Sequence, residues 1–172
     1  TVGVKPDLIT LGKVIGGGLP LAAVGGAAVF MEELAPNGKI YQAGTLSGNP
    51  LAVAAGLKTL DVLERENPYP RMSELGRRLA DTVNTAAAAH GLPFHCSQYQ
   101  GVFTFFCTPD PVRDLATAKR SDTAAYARLF HSVLNKGFYL PPSQFELGFI
   151  SAAHSEEEID GLARAVIDAW RH

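Results

Sequence analysis

The spacing of apolar residues changes along the chain, and that spacing predicts its elements. Residues 7–11 (DLITL) are a short, nearly continuous apolar run and read as a buried strand, followed directly by Gly12 and Lys13. Glycines at 16, 17 and 18 and a proline at 20 interrupt the pattern. Residues 21–30 (LAAVGGAAVF) are small and apolar and predict a second buried strand, with Gly25 and Gly26 permitting a bulge or a close backbone approach. Residues 31–34 predict one helical turn and residues 35–38 a tight turn. A longer helix is predicted from Asn49, whose side chain can cap it, with Pro50 at the first helical position, where a missing N–H costs nothing. Val53, Leu57 and Leu60 then lie near one face, and the pattern ends before Pro68.

Pro68, Tyr69 and Pro70 form a stiff break that predicts a domain boundary between residues 1–67 and 68–172. Beyond it Met72, Leu75, Leu79 and Val83 mark an amphipathic helix that stops before Gly91. Residues 102–107 (VFTFFC) read as a strand. Tyr126, Leu129, Phe130, Val133 and Leu134 form a second helical stripe, ended by Gly137. Residues 138–140 and 149–152 are short strand candidates. Ser155 and Glu158 make a capping box ahead of Ile159, Leu162, Val166 and Trp170 on one helix face. Strands mixed with amphipathic helices predict a small α+β domain over 68–172.

Composition narrows the function classes. The chain has 172 residues, 47% of them hydrophobic and 19% charged, which is enough apolar material for a core. A net charge of -2 supplies no basic stripe for nucleic acid, and every apolar stretch is broken well short of a membrane span. Cys96 and Cys107 have neither metal nor redox spacing and read as reduced, structural thiols, which suits a cytosolic-type compartment. His90, His95, His131, His154 and His172 show no ligand spacing; only His154, beside Ser155, is near a candidate site. The chain opens on Thr1 without an initiator Met or leader and reads as part of something longer, so a plastid-targeting segment, for instance, would be invisible.

Three segments carry candidate chemistry. Lys13 is the only charged residue between Asp7 and Glu32, in an apolar, glycine-rich setting at a strand end. A lysine there is expected to be partly buried. Burial disfavours an ammonium and frees the amine as a nucleophile toward a carbonyl, whereas most lysines are simply solvated. The phosphate-loop order fails because Val14 follows Gly12-Lys13, and the clustered glycines do not match the dinucleotide fingerprint. Residues 41–50 (YQAGTLSGNP) place Gly44, Thr45, Ser47 and Gly48 before a helix start, which reads as an anion site or as a capped loop without a ligand. Glu146 follows PPSQF and is framed by Phe145 and Leu147; it reads as a carboxylate facing a pocket or as one in water.

The runs DLITLGKVIGGGLPLAAVGG, YQAGTLSGNPLAVAAG, DLATAKRSDTAAYARLF and PPSQFELGFISAAHSEEEID together resemble the class III aminotransferase group of fold-type I pyridoxal-phosphate enzymes, and its aminomutase branch in particular. The resemblance implies an α/β chain: the end of a large cofactor domain and its connecting helix over 1–67, then a small α+β C-terminal domain over 68–172. It implies pyridoxal 5'-phosphate held by Lys13, which would also carry protons between substrate carbons. Gly44 and Thr45 would contact the cofactor phosphate of the partner across a homodimer interface, and Glu146 would lie near a small-molecule substrate. The implied reaction turns glutamate 1-semialdehyde into 5-aminolevulinate, a tetrapyrrole precursor, in the cytoplasm or, for a plant or alga, the plastid stroma. A class III aminotransferase with another amine substrate and a catalytically inert fragment are the alternatives. The group commonly carries two arginines where this chain has Ala27 and Ala28.

Overall fold

The computed structural model describes residues 3–170. The chain divides into two compact units, one ending at Asn67 and the other beginning at Pro68.

The first unit opens with an antiparallel hairpin. Strand β1 (Leu8–Gly12) pairs with β2 (Ala22–Gly26) in a register that runs from Leu8 opposite Gly26 to Gly12 opposite Ala22. The second strand is shorter than its apolar run predicts. Ala27 is extended, but Ala28–Met31 form helix α1, with the N–H groups of Phe30 and Met31 on the Ala27 carbonyl. The helical turn therefore begins three residues before the predicted 31–34. The turn at 35–38 is present, closed by Ala35 N–H on Ile40 O at 2.9 Å and Gly38 N–H on Leu34 O at 2.9 Å.

Helix α2 (Pro50–Glu66) starts as its sequence predicts, with Asn49 Oδ1 accepting from the N–H groups of Leu51 and Ala52, both at 3.1 Å. It stops at Asn67, whose left-handed backbone (φ 41°) lets its N–H reach Leu63 O at 3.0 Å. Its buried line is Ala52 and Gly56, not the predicted Val53, Leu57 and Leu60. The reason is a close approach: a side chain at Gly56 would run into Leu21 and the carbonyl of Ile15. Leu57 and Leu60 stay 65% and 51% exposed. Leu8, Ile9, Leu11 and Val24 are also about half exposed, so neither strand is buried within this chain. Among the described residues of this unit, Gly16, Ala52 and Gly56 alone are buried.

The second unit holds the core. The 68–70 break is itself helical: α3 (Tyr69–His90) takes Tyr69 and Pro70 into its first turn, and Gly91 (φ 61°) ends it. A three-stranded antiparallel sheet runs in the order β3 (His95–Tyr99), β4 (Val102–Phe106), β5 (Gly148–Phe149). Helices α4 (Leu115–Ala118), α5 (Thr123–Asn135) and α6 (Glu156–Ala169) complete the unit. Leu75, Leu79 and Val83 of α3 meet Phe103 and Phe105 of β4, Leu129 and Val133 of α5, and Ile159, Leu162 and Val166 of α6 in one buried cluster. All three predicted helical stripes supply it, and the capping box of Ser155 and Glu158 starts α6 as predicted.

Four features of the second unit depart from the sequence reading. Strand β3 (HCSQY) was not predicted, because its residues are polar except for Cys96 and Tyr99; Asn84 closes its free side by bonding both the N–H and the C=O of Cys96, at 2.8 and 2.9 Å. Residues 138–140 form no strand, since Pro141 and Pro142 supply no N–H for a ladder. Of the last candidate, 149–152, only Phe149 is in a strand, paired together with Gly148 before it, and Ile150 N–H then bonds Gly101 O at 2.8 Å. The short helix α4, started by an Asp114–Thr117 capping box, also went unpredicted.

Candidate active site

Lys13 stands at the end of β1 with an unusual backbone. Gly12 before it is extended (φ -156°, ψ 173°), and Lys13 itself has φ 58°, a left-handed conformation that costs a non-glycine residue about 1–2 kcal/mol. It opens a 3₁₀ turn (Lys13–Gly16), closed by Gly17 at φ 58° with its N–H on Val14 O at 3.2 Å. A side chain at Gly17 would collide with the hydroxyl of Thr59, so this glycine is required both by its φ and by the approach of α2. The strained residue is the one that sequence isolation singles out, and strain of this kind collects at functional sites.

Lys13 lines a cleft of about 960 Å³ in the first unit. The floor and walls come from residues 18–22 on one side and from Gln42, Gly44, Leu46, Ser47 and Gly48 on the other. Two successive turns shape the second wall, with Ser47 N–H on Gly44 O at 3.0 Å and Asn49 N–H on Leu46 O at 3.1 Å. Asn49 already occupies the amides of Leu51 and Ala52, so the helix start itself is capped by protein, and the open polar groups of this wall belong to the turns.

Lys13 and Gly44 thus share a cleft. Thr45 does not line it and is exposed, while Ser47 and Gln42 contribute polar side chains there. The hydroxyl of Ser47 was visible in the motif; Gln42 carried no signal, since a single Gln in a loop looks like any other. The expected partial burial of Lys13 is not found: its side chain is exposed, because β1 and β2 beside it are themselves uncovered in this chain. Ala27 and Ala28 are exposed at the start of α1, and neither lines the cleft.

Glu146 lies in the second unit, exposed on the loop after Pro141, with its N–H on Ser143 O at 3.1 Å. Its carbonyl accepts from Thr104 Oγ1 at 3.1 Å. His154 Nδ1 accepts from Ser151 N–H at 2.9 Å and so braces the turn before α6. Cys96 and Cys107 are free and buried, and burial pushes both thiols up to about 12, which makes them inert as nucleophiles. Among the described residues no group of three His, Cys, Asp or Glu side chains could hold a metal ion, and no helix is long and apolar enough to cross a membrane.

The fold of this chain is similar to that of solved transaminases. An omega-transaminase from Sphaerobacter thermophilus matches it with a TM-score of 0.85 at 28% identity, over 98% of this chain and 39% of that one. A transaminase with PLP bound matches with a TM-score of 0.80 at 27% identity, over 99% of this chain and 39% of that one. The sequence family described as Aminotransferase class-III matches residues 1–143, and the chain belongs to that family. It is 49% identical over 166 residues to the glutamate-1-semialdehyde 2,1-aminomutase of Opitutus terrae, covering 96% of this chain and 39% of that protein's length.

Proposed function

We propose that the protein containing this chain is a pyridoxal-phosphate aminomutase that converts glutamate 1-semialdehyde to 5-aminolevulinate, a porphyrin precursor, in the cytoplasm. The observation that carries this reading is Lys13, an amine at a strained strand end on the wall of a glycine-lined cleft. Identity of 49% to a protein of that name, spread over nearly the whole chain, supports the branch.

The cleft fits the cofactor chemically. It offers a primary amine for a carbonyl and apolar walls at Val14, Leu19, Leu21 and Leu46 for a flat ring. When bound, the cofactor supplies the electron sink for breaking a C–H bond beside the amino group. The work of this chain is placement. Lys13 Nζ anchors the cofactor and, once released, carries a proton between the two substrate carbons. Gly44, with Thr45, is assigned to a phosphate. The exposure of Thr45 agrees with a phosphate belonging to a partner protomer, and the exposed Tyr41 (82%), Leu46 (57%) and Leu51 (69%) around it suit a homodimer interface. Glu146 is assigned to the substrate.

The open apolar faces of β1, β2 and α2 support reading residues 1–67 as the end of a larger cofactor domain, and the self-contained core of 68–172 supports a small C-terminal domain. The test is turnover by the full-length enzyme of glutamate 1-semialdehyde without any external amino acceptor. Formation of 5-aminolevulinate under that condition is expected. A strict requirement for a second amino acid or keto acid would place the protein among the ordinary aminotransferases instead.

A further inference from the structure

We infer that Thr104 is a positioning residue for Glu146, an inference that rests on the proposed assignment of Glu146 to the substrate. Thr104 is the one polar residue in the VFTFF strand β4, and it is 9% exposed between Phe103 and Phe105. A hydroxyl buried among phenylalanines is costly unless it is bonded. Its bonds go to a loop some forty positions away along the chain: Oγ1 is 3.1 Å from the carbonyl of Gln144 and 3.1 Å from the carbonyl of Glu146. One proton shared between two acceptors two residues apart orients the 144–145 and 146–147 peptide planes, the second of which carries the carbonyl of Glu146 itself.

The rest of the loop is fastened the same way. Tyr126 Oη donates to Pro141 O at 2.7 Å, and Ser143 takes Phe145 N–H on its hydroxyl at 3.2 Å and Glu146 N–H on its carbonyl at 3.1 Å. Gln144 turns inward to 1% exposure, while Phe145, Glu146 and Leu147 turn outward. Glu146 therefore projects from a backbone pinned to the core of its unit. Thr104 acts on Glu146 only through the main chain and touches no substrate. Loss of its hydroxyl would leave two carbonyls without their donor and free the carboxylate to move, which lowers affinity for substrate without touching the cofactor.

The test uses the full-length enzyme with cofactor. Glu146→Gln, Thr104→Val, Thr104→Ser and the double variant Glu146→Gln/Thr104→Val are compared by KM, kcat, cofactor absorbance and hydrogen exchange over residues 141–149. Thr104→Val is expected to raise KM about fivefold to tenfold, the ratio that corresponds to one ordinary net hydrogen bond. Cofactor absorbance should be retained, kcat little changed and exchange faster at 145–147. Thr104→Ser should restore KM, and the double variant should be no worse than Glu146→Gln. Should Thr104→Val fail to fold, Thr104→Cys, with its weak donor, carries the same expectation for KM. Wild-type KM in the folded Thr104 variants beside an impaired Glu146→Gln would overturn the positioning role alone. Wild-type kinetics in Glu146→Gln would overturn the substrate assignment, and the role of Thr104 with it.

Discussion

Arg78 grips Asp160 with two parallel hydrogen bonds, Nε to Oδ1 and Nη2 to Oδ2, each 2.6 Å long. The pair ties α3 to α6, and Glu156 adds a third contact at 3.0 Å. The hydrogen bond from Arg78 holds the Asp160 carboxyl below its ordinary value of 3.8, just as bonds from Ser155 hold Glu158 below 4.5. A depressed folded-state value means that the stabilisation is fully present above the ordinary value and is lost as pH falls through the lower one. Asp160→Asn should therefore lower the unfolding midpoint at neutral pH, and the gap from the parent should close as pH falls below about 3.8. A gap that stays constant down to acid-unfolding conditions would show that the pair contributes no pH-dependent stability.

Gln144 poses the opposite case. Its side chain is 1% exposed, yet neither its Oε1 nor its Nε2 has a partner among the described residues. An orphaned buried polar group costs about 1–3 kcal/mol, and an apolar replacement of similar shape removes that cost. Gln144→Leu is expected to leave stability unchanged or raise it by about 1 kcal/mol in denaturant unfolding. A loss of more than about 1 kcal/mol would mean that the amide is satisfied in solution, through an ordered water.

The two units should respond differently to truncation. Leu79 is fully buried in the α3 face of the core, and Leu79→Ala should cost about 2–5 kcal/mol in the isolated chain. Leu57 looked equally inward-facing in the sequence but is 65% exposed, so Leu57→Ala should change stability by less than about 0.5 kcal/mol there. Comparable losses at both positions, read by chemical denaturation, would contradict the division between a unit with its own core and one without.

That contrast also shows what was legible in the sequence. Leu75, Leu79 and Val83, like Ile159, Leu162 and Val166, announce their helices because large apolar side chains repeat at helical spacing against a core inside this chain. The caps at Asn49 and Ser155 are legible because short polar side chains satisfy the first amides of a helix. The packing of α2 is not legible, because it is made through Gly56, a residue with no side chain to count. Strand β3 stays hidden because its residues are mostly polar and its stability comes from partners outside it, the ladder with β4 and the two bonds of Asn84 to Cys96. Lys13 stands out by its isolation, but its exposure does not follow from that isolation, since Leu8, Ile9, Leu11 and Val24 of the strands beside it are themselves about half exposed.

The account turns on Lys13, and covalent mapping tests it most directly. Borohydride reduction of the full-length enzyme isolated with its cofactor should fix a pyridoxyl group to the peptide containing Lys13. Lys13→Ala should lose that label and cut turnover by orders of magnitude while the fold survives, because the side chain is exposed here and its removal takes away no buried contact. A pyridoxyl group found on Lys5 or Lys39, with Lys13 unlabelled, would contradict the assignment of the site.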